Sequence, residues 1–177
     1  MKYCSQCGGA VEVRIPEDDN RPRHVCTQCN TIFYSNPRIV AGTIPVYDGK
    51  ILLCKRAIEP RYGYWTLPGG FMENHESTEE AALRETWEEA AAKVTLGPLY
   101  SMASVIHISQ VHLFFKAELP EPVFASGPES LEVRLFEPAE IPWDELAFAT
   151  VSETLRRYLQ DPSPASPQLF DIRTNQG

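Results

Sequence analysis

No apolar run in this chain approaches the roughly 20 residues that a membrane-spanning helix needs. The N-terminus, Met1-Lys2-Tyr3-Cys4, lacks the hydrophobic stretch of a signal peptide. A cytoplasmic protein without a membrane partner is therefore expected. Basic residues are in the minority, 16 Lys and Arg against 24 Asp and Glu, for a net charge of -8. That balance argues against nucleic acid as a partner, because non-specific binding draws on phosphate neutralisation by basic side chains. A phosphate ligand reached through metal ions stays open. Internal repeats are absent, and beyond residue 29 the only cysteine is Cys54. In a cytosolic chain this distribution favours metal ligands or core residues over disulfides.

What the chain does contain is enough apolar material, 43% of its 177 residues, to build the core of one catalytic domain with a small addition. Composition divides it into three segments. Residues 1–34 hold four of the five cysteines, residues 35–160 carry periodic apolar patterns, and residues 161–177 open with Asp-Pro-Ser-Pro-Ala-Ser-Pro, an extended arm. In the middle segment, residues 39–47 and 50–55 read as strands joined by an Asp48-Gly49 hairpin turn. Pro68-Gly69-Gly70 reads as a turn. Ser77-Thr78-Glu79-Glu80 is a capping box that starts a helix at Thr78, running to about residue 91. Strands follow near 100–106, 111–118 and 133–136. A second capping-box pattern at Thr150 precedes an apolar face of Val151, Leu155, Tyr158 and Leu159. The sum is a mixed α/β domain.

Much of the acid lies between Glu73 and Glu89. At 100° per residue, Glu88 and Glu89 fall about 60° and 40° to either side of Glu85. The opposite face, with Leu83, Trp87 and Val94, is the one expected to pack into the core. Carboxylates at i, i+4 oppose helix formation by roughly 0.2–0.5 kcal/mol per pair. Arg84 projects well off this stripe on the helical wheel, so no basic residue on the stripe offsets the repulsion. A divalent cation such as Mg²⁺ would turn it into coordination. A solvated acidic helix is the plainer alternative.

Cys4-x₂-Cys7 and Cys26-x₂-Cys29 have the spacing of two knuckles that bring four thiolates to one tetrahedral Zn²⁺. Such a site is structural, since four thiolates leave no open coordination position. A redox pair of CxxC motifs is the competing reading. Cys54, in Ile51-Leu52-Leu53-Cys54, reads as core.

The spacing Gly70, five residues, Glu76, seven residues, Arg84-Glu85, two residues, Glu88-Glu89 resembles the Nudix box. Six fixed positions match, with a chance expectation on the order of 10⁻⁵. Two sites depart from the pattern. Thr86 stands where the box has an aliphatic residue, and Ala91-Ala92 where it has Gly and an aliphatic. Because that Gly ends the helix in a left-handed turn, Ala91 predicts a helix running on toward Lys93. The resemblance implies a Nudix-type α/β/α sandwich with a mixed sheet, preceded by a small zinc ribbon. It implies a pyrophosphatase that cleaves the diphosphate bond of a nucleotide derivative. Glu85, Glu88, Glu89 and the Gly69 carbonyl would hold Mg²⁺ or Mn²⁺, with Glu89 alternatively a base. Glu76 would hold Arg84, and Arg84 would orient the carboxylates. A later carboxylate would complete the site, Glu132 being preferred to Glu129, although a strand-start position also explains it.

A zinc ribbon before such a domain is similar to NADH pyrophosphatases, but their Ser-Gln-Pro-Trp-Pro-Phe-Pro element is missing. The chain instead resembles the smaller group acting on ADP-ribose and FAD, with AMP as one product. Arg56 and Arg61 are candidate phosphate ligands, and Tyr62 and Trp65 candidate base-stacking residues. His107 and Gln110 are candidate ligand contacts, or merely a hairpin turn. Core aromatics and solvated arginines are the alternative for the first four. A homodimer is expected from the resemblance. A nucleotide-sensing or RNA-binding module on the same fold, or removal of nucleotide caps from RNA, are the competing functions.

Overall fold

The computed structural model describes residues 1–173. It separates into two compact units that divide between Asn36 and Pro37. In the first, β1 (Val11–Arg14), β2 (Arg23–Cys26) and β3 (Ile32–Phe33) form a small antiparallel sheet. Its buried apolar side chains are Cys4, Pro16, Val25 and Cys26.

The second unit is built on a mixed sheet. Its main path runs in the order β10-β5-β4-β9-β8-β11. These are β4 (Arg38–Tyr47), β5 (Lys50–Arg56), β8 (Thr95–Val105), β9 (Gln110–Glu118), β10 (Ser130–Phe136) and β11 (Gln168–Ile172). Two short strands lie off this path, β6 (Trp65–Thr66) on β5 and β7 (Gly69–Phe71) on β4. The β4–β9 and β8–β11 pairings are parallel and the rest antiparallel. Asp48 and Gly49 both have positive φ, 46° and 78°, as a two-residue hairpin turn of this hand requires. Gly69-Gly70, read from sequence as a turn, starts a paired strand instead. The Pro-rich segment leads into β11 beside β8.

One helix covers each face, giving the α/β/α sandwich. Alternation along β5 shows how. Ile51 and Leu53 join the core with Val151 and Leu155 of α2 (Ala149–Gln160), whereas Leu52 and Cys54 pack with Ala90 of α1 (Thr78–Ala90). The Ser77 capping box is present, with Ser77 Oγ accepting from the Glu80 N–H and Glu80 accepting from the Ser77 N–H. The second capping box is not. Phe148 stands at the N-cap of α2, and Thr150 Oγ1 turns to the imidazole of His112 at 3.0 Å.

The buried face of α1 also differs from the expected one. Leu83 and Trp87 remain 37% and 50% exposed, while Ala81, Ala82, Thr86, Glu89 and Ala90 are buried. Small residues let the helix lie close on the sheet, a distance the indole of Trp87 would prevent. Thr86 fits because its hydroxyl is satisfied, 2.6 Å from Thr43 Oγ1 and 2.7 Å from the Ala82 carbonyl. Nor does the helix run on to Lys93. Ala91 itself takes the left-handed conformation, φ 46°, and donates its N–H to the Trp87 carbonyl.

Candidate active site

β7 and α1 bring the acidic cluster together. Gly70 faces Glu85 so closely that a Cβ there would lie 2.6 Å from the carboxyl carbon. The Gly69 N–H donates to Glu89 Oε2 at 3.1 Å, pinning the last turn of α1 to β7. Arg84 then uses every one of its five N–H donors. Nε and Nη2 clasp Glu76 at 3.0 and 2.7 Å, Nη2 also reaches the Phe71 carbonyl at 3.2 Å, and Nη1 spans Glu85 at 2.7 Å and Glu88 at 3.2 Å. The helical wheel therefore misled on charge. The Cα of Arg84 points off the stripe, but its long side chain returns the guanidinium to it.

Electrostatics divide the carboxylates. The guanidinium of Arg84 holds Glu76 down at about 2. Burial raises Glu85, opposed by Arg84. Glu89 is 6% exposed, and burial pushes its carboxyl up to about 8. The Gly69 N–H and the Arg56 charge pull the other way, while Glu85 and Glu129 add to the rise. Arg84 engages only one oxygen each of Glu85 and Glu88. The others take no bond from Arg84, and Glu89 feels the Glu85 charge; carboxylate oxygens are the donors a hard divalent cation takes.

Glu129, not Glu132, is the later carboxylate whose charge acts on the cluster. Glu132 stands opposite Lys55, whose ammonium lies over the Trp65 ring on the α2 side of the sheet. The register shift between Ser130 and Glu132 is the cause, and such bulges leave no sequence mark.

The remaining candidates scatter. Arg56 is buried, donates to the Pro60 carbonyl at 2.9 Å, lies over Phe148 and contributes its charge to Glu89. Arg61 and exposed Tyr62 lie on the loop that Arg56 anchors, with Arg61 over the Tyr64 ring. Trp65 is 5% exposed and packs edge-on to Phe136, so it is a core residue and not a stacking platform. Trp65→Ala should cost about 3–5 kcal/mol of stability, read as a lowered denaturation midpoint with substrate KM little changed in the folded fraction. His107 is exposed on the 3₁₀ turn Ile106–Ile108. Gln110 is engaged inward, its Oε1 accepting from His112 Nε2 at 2.9 Å, which leaves Nδ1 to accept from Thr150. Burial lowers the imidazole of His112 to about 4, so this pair is neutral and structural.

In the first unit the four thiols of Cys4, Cys7, Cys26 and Cys29 lie within 4.8 Å of one another. Sulfur–sulfur distances of 3.7, 3.5 and 3.4 Å join Cys4 to Cys29, Cys7 to Cys26 and Cys7 to Cys29. A tetrahedral ion with Zn–S bonds near 2.3 Å sets edges of about 3.8 Å. The Thr31 hydroxyl, 3.1 Å from Cys29 Sγ, helps bring that thiol down to about 6, toward the thiolate a metal needs. The donors fit Zn²⁺ and not a disulfide.

The chain is similar to known proteins over both units. Residues 2–35 match the Nudix N-terminal zinc-ribbon family and residues 36–159 the NUDIX domain family. A NUDIX hydrolase from Nitrosomonas europaea is 50% identical, with a TM-score of 0.93 over 98% of this chain and 100% of that one. An NAD-capped RNA hydrolase of Chromobacterium violaceum is 35% identical over 52% of this chain. An ADP-ribose pyrophosphatase of Methanocaldococcus jannaschii is 46% identical over 32% of it. The matched regions span 33% of the length of each of these two curated relatives. With the NUDIX domain match covering residues 36–159 and the box carboxylates Glu85, Glu88 and Glu89 on the C-terminal half of α1, this chain belongs to the NUDIX family.

Proposed function

We propose that the protein is a metal-dependent pyrophosphatase that hydrolyses the diphosphate bond of a nucleotide derivative, with ADP-ribose or FAD favoured. The observation that carries this reading is the clasp of Arg84, which spends all its donors on holding Glu76, Glu85, Glu88 and the Phe71 carbonyl in one arrangement. An arginine so committed has no donor left for substrate and serves to shape a cation site.

Glu85, Glu88 and Glu89, with the Gly69 carbonyl, would hold Mg²⁺ or Mn²⁺. Such an ion neutralises phosphate oxygens and lowers the pKa of a bound water. The chain's own residues do the rest. Glu76 fixes Arg84, and Arg84 keeps Glu85 and Glu88 from splaying. Water attacks phosphorus and gives up a proton, and Glu89, buried against β7, is the residue that would take it in the alternative where it serves as base and not as ligand. The bridging P–O bond breaks, releasing AMP and a second phosphorylated product. Arg56 sets positive charge beside the cluster, and exposed Tyr62 offers a ring to a base. The ribbon would hold structural Zn²⁺.

The test is turnover of ADP-ribose, FAD, NADH, dinucleoside polyphosphates and NAD-capped RNA with Mg²⁺ and product identification. AMP release, fastest from ADP-ribose or FAD, is expected. No turnover of any of them overturns the reading, and preference for the capped RNA moves it to the chemistry named for the Chromobacterium relative. Arg84→Lys should lower cation affinity about 10–100-fold, because an ammonium cannot reproduce the planar fork. The measure is the Mg²⁺ concentration at half-maximal rate, and an unchanged value would remove Arg84 from its role.

A further inference from the structure

An α-helix leaves its last four carbonyls without intrahelical donors. In α1 the Ala91 N–H serves the Trp87 carbonyl, and the glycine that usually closes the box is absent. The donors for the last two carbonyls, those of Glu89 and Ala90, come from far along the chain. The Ala125 N–H donates to the Ala90 carbonyl at 2.8 Å, and the Gly127 N–H donates to the Glu89 carbonyl at 3.0 Å.

Gly127 passes so near the helix end that a Cβ on it would overlap the Glu88 carbonyl oxygen. That Cβ would also lie 2.8 Å from the Glu88 carbonyl carbon and 3.2 Å from the Glu89 Cα. All three are backbone atoms, so no side-chain rotation relieves the overlap. The φ of Gly127 lies outside the left-handed region, so space and not backbone conformation requires glycine here. The segment is anchored beyond that point as well. The Ser130 N–H donates to the Gly127 carbonyl at 3.1 Å, and the Ala57 N–H donates to the Glu129 carbonyl at 2.8 Å.

We infer that residues 125–129, through Gly127, form a positioning strap that fixes the last turn of α1 and with it the placement of Glu88 and Glu89 relative to Glu85. This inference rests on the functional reading above. The strap does from outside the helix what a left-handed glycine alone does less firmly. It ties Glu89 and its neighbour Ala90 by their own carbonyls and passes hard against the Glu88 carbonyl, and the same segment sets the Glu129 charge beside the cluster. Gly127 touches neither substrate nor cation and acts only through the helix.

The experiment uses the full chain. Mn²⁺ binding is measured by titration calorimetry, alongside thermal melts and Mg²⁺-dependent turnover, for wild type, Gly127→Ala and Ala125→Pro. The proline removes one donor without adding bulk against Glu88. Gly127→Ala should weaken Mn²⁺ binding about 10–100-fold in protein that is folded by its melt. It should lower kcat while KM for substrate at saturating Mn²⁺ stays near that of the wild type. Ala125→Pro should shift affinity in the same direction by less. Should Gly127→Ala fail to fold, Ala125→Pro decides. Wild-type affinity and turnover in the folded variants overturn the strap alone. Absence of Mn²⁺ binding by the wild type overturns the functional reading and the strap together.

Discussion

Glu89→Gln should lower hydrolysis by about 10²–10⁴-fold and at the same time stabilise the protein when no divalent cation is added. The two effects share one cause. Glu89 is 6% exposed, and burial carries its carboxyl to about 8. A folded-state value above the unfolded one, about 4.3, means that the native state binds more protons between those limits. The charge on Glu89 therefore opposes folding increasingly as pH rises from about 4.3 to about 8, and the cost levels off above that. Glutamine keeps the shape and removes the charge. Near pH 4 the two proteins should melt alike. At pH 8 the variant should be more stable by on the order of 1–3 kcal/mol, discounted from the full linkage value for relaxation around a buried charge. Added Mg²⁺ should reverse the order, because only the wild type offers the full carboxylate set. The same linkage makes wild-type cation affinity rise with pH toward 8, since the ion competes with the proton. Melts at both pH values, with and without Mg²⁺, check this. A variant less stable than wild type at pH 8 without cation would contradict the buried-charge account. If activity falls with cation affinity intact, Glu89 acts as the base. If both fall together, it acts as a ligand.

The chemistry of this site was legible in the sequence because it is carried by spacing. Gly70, Glu76, Arg84, Glu85, Glu88 and Glu89 are separated by fixed numbers of residues, and a capping box marks where their helix begins. What depends on three-dimensional fit was not legible. The helical wheel assigned Leu83 and Trp87 to the core because they are apolar. The sheet instead selects for closeness, and Ala81, Ala82 and Ala90 provide it. Trp65 was a candidate for base stacking on the chemistry of its ring, with a core position as the alternative, and its ring completes the Phe136 core. Glu132 and Glu129 differ only in their relation to a bulge. Thr86 looked like a flaw in the box until its partner Thr43, distant in sequence, was placed at 2.6 Å. Ala91 looked unable to end the helix, but a left-handed alanine costs only about 1–2 kcal/mol, and the contacts of the 125–129 segment at the same helix end offset it. The segment Ala125-Ser126-Gly127-Pro128-Glu129 carries no periodicity, so nothing along the chain marked it as part of the site.

Removal of metal from the ribbon should unfold residues 1–36 and leave the larger unit intact. Of the four buried apolar side chains in this unit, Cys4, Pro16, Val25 and Cys26, two are proposed ligands. Half of its core is thus its proposed ligand set. A segment this small cannot support itself by apolar burial, whereas zinc binding supplies about 10–16 kcal/mol in comparable peptides. Cys26→Ser takes a fully buried ligand from that set and should have the same result as a strong chelator. All three tryptophans, Trp65, Trp87 and Trp143, lie outside this unit, so their fluorescence should report a larger unit that melts as before. Trypsin should then cut after Arg14 and Arg23, sites that resist it in the metal-loaded protein. Metal analysis of the purified chain should find one zinc per molecule, released together with the titration of four further thiols. The redox alternative makes the opposite forecast. A disulfide needs sulfurs about 2.05 Å apart, whereas the close contacts here join cysteines of different knuckles at 3.4–3.7 Å. Zinc-free protein with a protease-resistant ribbon and a reducible pair within either CxxC would overturn the structural-metal assignment, and the site would then have to be read as an electron-transfer centre.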